Sequence, residues 1–292
     1  MKPPVFEYHR AENLEHACEL LSTSGEDSKI LAGGQTLIPM MNFRLARPKV
    51  LIDISDIAER NQVTDETGGI RIRATTVQRF VERATSVQAR LPLLHRAIQH
   101  IAHFQIRNKG TVGGNIVNAD PASELPAMSL ALDAKFEIMS CKGQRSIPAE
   151  EFFVTYMTTS LGPDEILSSV LFCEPPKKSG WGFHEVARRS GDYALAGASA
   201  VITADGAGKC TRARVALFGV ASTPVRATET EAMLVGQTHS AELLQEAARK
   251  VQSVVDPESD VHVTADYRRS VAQVLVVRAL DDAFKMANAA VG

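Results

Sequence analysis

Apolar residues along the chain alternate between two periods. Leu14, Ala17, Cys18 and Leu21 recur at helical spacing, between "VFEYH", which reads as a strand, and the break "STSG". "KILAGG" reads as a strand ending at a glycine turn, and "KVLIDI", after a Met-rich segment, as a second buried strand. "GGIRIRA" predicts a strand and "TVQRFVERA" a helix; Leu94, Ala97, Ile98 and Ile101 predict an amphipathic helix leading to a second glycine turn, "GTVGGN". "ASELPAMSLALDA" then reads as a helix with Ser123 or a neighbour as its cap, and "AKFEIMS" and "EILSSVLF" as strands.

Pro, Lys and Gly crowd into "CEPPKKSGWG", residues 173–182, which reads as a domain boundary. Beyond it "GFHEVAR", "YALAGASAVITA" and "TRARVALFGV" predict three strands joined by turns. They are followed by helices over "ATETEAMLVG", "SAELLQEAARKVQSVV" and "SVAQVLVVRALDDAFKMANAA", an order that implies a separate α+β unit.

Length and composition narrow the class. The chain has 292 residues, 45% hydrophobic and 23% charged, enough to bury a substantial core in two or three units. A formal charge of −2 leaves no Lys/Arg excess to neutralise phosphates, which argues against nucleic acid or an anionic membrane as partner. No window reaches the roughly 20 apolar residues that span a bilayer and no signal segment opens the sequence, so the expected location is cytoplasmic. Cys18, Cys141, Cys173 and Cys210 are scattered, with no spacing that would gather thiolates around zinc or an iron–sulfur cluster. They read as reduced residues of the interior.

Several catalytic look-alikes fail on inspection. "GAGKCT" at 206–211 lacks the P-loop's first glycine, since Thr203 stands there, and "HEVAR" has Arg188 where a zinc protease needs its second histidine. No complete GxGxxG follows a predicted strand, and the eight histidines are unpaired along the chain.

Two glycine turns survive, "AGGQT" at 32–36 and "TVGGN" at 111–115. Adjacent glycines let successive backbone N–H groups converge on one concavity, which binds oxygen anions through fixed dipoles. A lone pair of glycines is as well explained by a tight strand exit or a bulge. Two such turns with few cations nearby suit a pyrophosphate held from both sides.

Taken together, "ILAGGQTLIPMMNFRLARPKVLIDI", "GTVGGNIVNADPASELPAMSLALDA" and "RRSGDYALAGASAV" closely resemble the medium, FAD-binding subunit of three-subunit molybdenum hydroxylases. That family includes the flavoproteins of carbon monoxide dehydrogenase, quinoline oxidoreductase and bacterial xanthine dehydrogenase. The resemblance covers nearly the whole chain. It implies an α+β fold: a p-cresol methylhydroxylase-type FAD-binding domain of two α/β subdomains, 1–57 and 58–176, followed by an α+β flavoprotein C-terminal domain, 177–292.

The resemblance also implies site residues. Leu31, Ala32, Gly33, Gly34, Gln35, Thr36 and Leu37, with Thr111, Val112, Gly113, Gly114 and Asn115, would wrap the pyrophosphate. Their N–H groups and the Thr36 and Thr111 hydroxyls would be the donors. Glu124 would accept hydrogen bonds from ribityl or ribose hydroxyls; it also suits a helix N-terminus, whose dipole favours a carboxylate. Leu167 matches a backbone or apolar contact to the isoalloxazine and equally an ordinary core leucine. His184 stands where some relatives carry Lys near the flavin. Tyr193 matches an aromatic that lies against the isoalloxazine, or else is a plain strand tyrosine. Asn115 and Asp120 would position loop backbone.

A flavin held this way carries the redox chemistry itself. The resemblance implies non-covalent FAD that takes electrons from [2Fe-2S] clusters of a small subunit, with molybdopterin on a large subunit and a dimer of heterotrimers overall. No catalytic side chain and no metal site are expected on this chain. Two other readings stand beside it: a self-contained flavin oxidase of the p-cresol methylhydroxylase class, and a scaffold that has lost its flavin.

Overall fold

The computed structural model describes residues 2–58 and 60–290. The first stretch forms β1 (Glu7–Arg10), α1 (Leu14–Ser24), β2 (Ser28–Leu31), α2 (Leu37–Asn42) and β3 (Val50–Asp53). β3 lies between β1 and β2, parallel to both. α1 is capped by Asn13, whose side chain accepts from the His16 N–H at 2.8 Å. It buries Leu14, Ala17, Cys18 and Leu21, the stripe that its spacing marks. The Met-rich segment is the short helix α2 and leaves Phe43 and Leu45 exposed at its end.

The second stretch builds a five-stranded antiparallel sheet around a helical layer. β4 (Val63–Glu66) and β5 (Gly69–Arg73) form a hairpin. The helices α3 (Gln78–Arg83), α4 (Thr85–Arg90), α5 (Pro92–His100), α6 (Phe104–Arg107), α7 (Val112–Asn118) and α8 (Glu124–Ala131) follow. The chain then returns as β6 (Lys135–Ser140) and β7 (Gly143–Pro148), a small hairpin of β8 (Phe153–Thr155) and β9 (Thr158–Thr159), and β10 (Ile166–Cys173). The sheet order β4-β5-β10-β6-β7 puts β10 at its centre. α8 is buried on every side, which suits its continuous apolar run and its place between α5 and the sheet of the last unit.

The last unit is the antiparallel sheet of β11 (Ser179–Ala187), β12 (Ala194–Ala204), β13 (Cys210–Phe218) and β14 (Val225–Arg226). The helices α9 (Thr228–Leu234), α10 (Ala241–Lys250) and α11 (Ala265–Ala289) follow it. α11 lies across β11 and β12 so closely that a Cβ on Gly180 or Gly182 would come within 2.1 Å of the carbonyl oxygens of Ala283 and Ala279. The other face meets α5 and α8, so both faces of β12 are covered and its sequence is apolar without alternation. Among the described residues no helix is long and apolar enough to cross a membrane.

An ion cluster joins the second and last units. Asp133, between α8 and β6 at φ 43°, accepts from Arg212, from Arg214 Nε at 2.8 Å and from Arg226 at 3.3 Å. Arg226 also pairs with Glu231, which takes the Val215 N–H. Burial alone would raise the Asp133 carboxyl, but the guanidinium groups outweigh it and hold the acid below its ordinary value.

Candidate functional site

The two glycine turns meet. A Cβ on Gly33 would lie 2.3 Å from the Lys109 carbonyl oxygen and 2.9 Å from Gly110 Cα, so the first loop rests on the backbone just before the second. Gly34 has φ +69°, the left-handed conformation that suits glycine. The residues from Leu31 to Leu37 are all half-buried. Among the described residues, no protein acceptor takes the N–H groups of Gly33, Gly34, Gln35 and Thr36. Four successive unpaired donors at a strand-to-helix turn form an anion nest.

The second loop differs from the expectation. Val112 N–H donates to Thr76 O at 2.9 Å, Gly113 N–H to Ala74 O at 2.8 Å, and Asn115 N–H to Thr111 O at 3.1 Å. Gly114 N–H donates to Thr111 Oγ1 at 3.0 Å. "TVGGN" is thus not a bare turn but the capped start of α7, with its amides already engaged. Gly113 is required by the neighbouring strand end, since its Cβ would fall 2.5 Å from Ala74 Cβ. Gly114 is exposed, and its Cβ would meet Thr111 Oγ1 at 2.8 Å and Ala32 Cβ at 4.0 Å. The first loop therefore supplies the free amides, and the second supplies a close wall and the Thr111 hydroxyl.

Further residues converge from separate elements. Ser123 is the backbone N-cap of α8, but its hydroxyl donates to Asn115 Oδ1 at 2.9 Å and so ties α7 to α8. Glu124, the first residue of α8, is only 4% exposed. Burial first, and the charge of Glu185 second, push its carboxyl up to about 8. Asp120 is likewise raised by burial, against the Ala122 N–H that it accepts. Tyr193, at the turn into β12, is 57% exposed as a residue while its hydroxyl turns in toward Thr36. Burial of that end, then the charges of Asp120 and Glu124, raise the phenol to about 12. The turn is seated by Gly191, at φ +87°, against His103 and Ala102.

Leu167 is 3% exposed and its side chain belongs to the core beside β6. The neighbouring Ser168 carbonyl accepts from Ala74 N–H, whose own carbonyl takes Gly113, so β10 backs the second loop through one residue. His184 is not brought to this cluster. Its Nε2 lies 2.7 Å from Asp282 Oδ2 of α11, on the helix-covered face of β11. Strand side chains alternate in direction, and the next residue, Glu185, points toward α5 and α8 instead. Period-two alternation along "GFHEVAR", anchored on Gly180 and Gly182 against α11, is the signal that separates them.

The cation that acts on the Glu124 carboxyl is committed elsewhere. Arg107 is buried, donates from Nε to Glu82 Oε2 at 3.0 Å, and gives a terminal nitrogen to the carbonyls of Ile101 and Ala102. The site is thus an anion nest with hydroxyls, an aromatic side chain and buried acids beside it. That is the donor set for a ligand bearing a diphosphate, hydroxyls and a flat ring.

The comparisons agree with this chemistry. The family described as the FAD binding domain in molybdopterin dehydrogenase matches residues 4–174, and the CO dehydrogenase flavoprotein C-terminal domain matches residues 181–283. The 6-hydroxypseudooxynicotine dehydrogenase complex subunit alpha of Paenarthrobacter nicotinovorans is 40% identical over 99% of this chain and 97% of its own length. The carbon monoxide dehydrogenase medium chain of Hydrogenophaga pseudoflava is 38% identical over 97% of this chain and 99% of its own. Among solved structures, carbon monoxide dehydrogenase from H. pseudoflava superposes with a TM-score of 0.95 at 38% identity, covering 98% of this chain and 99% of that one. Quinoline 2-oxidoreductase from Pseudomonas putida 86 superposes with a TM-score of 0.93 at 32% identity, covering 99% and 100%.

Proposed function

This chain belongs to the FAD-binding medium subunits of the molybdenum hydroxylases, and we propose that within that family it is the electron outlet. It takes electrons from [2Fe-2S] clusters of a small partner subunit and passes them to an external acceptor. Substrate oxidation takes place on a large molybdopterin-binding subunit, and the assembly is a dimer of heterotrimers.

The observation that carries this reading is the run of four unpaired N–H groups from Gly33 to Thr36. They suit the pyrophosphate of FAD, with the Thr36 and Thr111 hydroxyls beside them and Leu31, Ala32, Gln35, Leu37, Val112, Gly113, Gly114 and Asn115 as loop wall. Glu124 suits a hydroxyl of the ribityl chain or the ribose, and the ring of the exposed Tyr193 suits the face of the isoalloxazine. Leu167 contributes from the core side through backbone or apolar contact. His184 is left out of the proposed site because its partner is Asp282. FAD, when bound, supplies redox chemistry that accepts electrons singly or in pairs. The chain's own task is to hold that group without covalent attachment, orient its ring and leave one ring face within reach of partners.

Anaerobic reduction of the purified chain, alone and with its partner subunits, tests the proposal. The bound flavin should bleach on substrate addition only when both partners are present. Reduction of the isolated chain by a small organic substrate would make it a self-contained flavin oxidase and overturn the proposal, as would a chain that binds no flavin.

A further inference from the structure

β11 is an edge strand. In the order β11-β12-β13-β14 it has a neighbour on one side only. The Ala204 N–H donates to Lys178 O at 3.2 Å, and this pair runs in register with Gly180↔Ile202, Gly182↔Ala200 and His184↔Ala198. In an antiparallel ladder successive residues alternate between exchanging bonds with the partner strand and pointing them away from it. Gly180, Gly182 and His184 therefore bond to β12, while Trp181 and Phe183 turn their N–H and C=O groups to the open edge. Among the described residues no group of the protein takes them.

That edge opens into a cleft of about 560 Å³ between α5 and α11. Trp181 and Phe183 line it from β11, Arg96 from α5, and Met286, 40% exposed, from α11. The other charges around it are already matched: His184 holds Asp282 at 2.7 Å, and Lys285 holds Asp281 at 2.6 Å. Arg96 has no ion pair or hydrogen bond among the described residues.

Proteins blunt exposed sheet edges with charge, proline, a bulge or shortness. The edges of the five-stranded sheet follow that rule: β4 is "VTDE", and β7, "GQRSIP", is almost wholly exposed and ends in Pro148. β11 departs from it. Over "SGWGFHEVA" it runs nine residues without lysine, arginine or proline, and its bulge comes only at the far end, between Val186 and Ala187.

We propose that β11 is the acceptor edge for an extended, acidic segment of a partner subunit. The segment adds a fifth strand to this sheet, seats an apolar side chain against Trp181 and Met286, and sets a carboxylate beside Arg96. Main-chain bonds along Trp181 and Phe183 give the affinity, and side chains at alternate positions give the selectivity. A guanidinium without a counter-charge favours an acidic segment over a basic one. The proposal rests on reading the chain as one subunit of a larger assembly, not on the route of electrons through it.

The test is residue-resolved hydrogen exchange on the flavin-loaded chain, alone and in the assembled complex. In the chain alone the Trp181 and Phe183 amides should exchange faster than those of Gly180 and Gly182, and on assembly they should slow by about tenfold or more. Arg96→Glu should raise the dissociation constant for the partner subunits by about tenfold, Arg96→Lys should leave it within about twofold, and both should keep wild-type FAD content. Unchanged exchange at Trp181 and Phe183 in the complex overturns the proposal, as does an Arg96→Glu variant that assembles like wild type. Protection that appears in the chain alone as its concentration rises, with sedimentation as a dimer, overturns it in favour of a second copy at this edge. Failure of the wild-type chain to assemble with any partner overturns the assembly reading, and this proposal with it. A complex that assembles without passing electrons to the flavin overturns only the electron-outlet reading.

Discussion

The side chain that Gly33 lacks would begin 2.3 Å from the carbonyl oxygen of Lys109. The glycine is therefore demanded by the protein's own backbone and not only by a ligand. Gly33→Ala should force the two loops apart, because both neighbouring atoms are main chain and neither can rotate away. We expect a loss of about 1–3 kcal/mol of stability together with loss of FAD. Gly114→Val meets the side chains of Thr111 and, at ordinary contact distance, Ala32 rather than main chain, so it should fold with a smaller penalty and still lose FAD. Denaturant unfolding and flavin content after gel filtration separate the two, and equal stability of both variants would contradict the loop-on-loop contact.

Much of this arrangement is legible in the amino-acid sequence. The stripe on α1, the glycine turn after β2, the paired strands of the last unit and the long α11 all follow from spacing. What escaped was non-local. Nothing near "TVGGN" says that Ala74 and Thr76 will consume its amides, since those partners come from a segment some forty residues earlier. Likewise "HEVAR" does not by itself say which of His184 and Glu185 faces inward. That is settled only when α11 is laid against Gly180 and Gly182.

The alternation on β11 gives a direct expectation. His184→Ala should leave FAD retention within about twofold of wild type, because its contact is with Asp282 on the far face. Equilibrium FAD titration of the stripped variant is the measurement, and a tenfold weakening would return His184 to the site.

Tyr193 is exposed as a residue and turns its hydroxyl toward Thr36. Tyr193→Ala should therefore change the flavin midpoint potential and the rate of reoxidation by oxygen more than it changes FAD affinity. Tyr193→Phe keeps the ring and should stay near wild type in both. Spectroelectrochemistry and stopped-flow reoxidation report these, and an unchanged potential in Tyr193→Ala would end the stacking assignment.

Asp133 holds three arginines of the last unit with one carboxylate. Asp133→Asn preserves the left-handed backbone that Asn tolerates, but takes from Arg212 the carboxylate it is paired with and leaves Arg214 and Arg226 to Glu231 alone or with Glu150. A cost of about 2–4 kcal/mol is expected, with separation of the two units early in unfolding. Because the folded carboxyl is held low, its contribution is present above the ordinary value of 3.8 and fades only as pH falls through the folded value. Urea titrations at neutral and acid pH should find the wild-type advantage over Asp133→Asn shrinking in acid.

Glu124 has the opposite sign. Burial and the charge of Glu185 raise its carboxyl from 4.5 to about 8, so the folded chain binds a proton there that the unfolded chain has already lost. Stability of the flavin-free protein should therefore fall as pH climbs between those two values, by at most about 1.4 kcal/mol per pH unit, and level off above the upper one. Glu124→Gln removes the titration and should flatten that slope, making the variant more stable than wild type at the alkaline end despite weaker FAD binding. Thermal melts of the stripped proteins across that range measure it. A wild-type slope that Glu124→Gln leaves unchanged would place the titrating group elsewhere and would mean that this acid serves the fold rather than the cofactor.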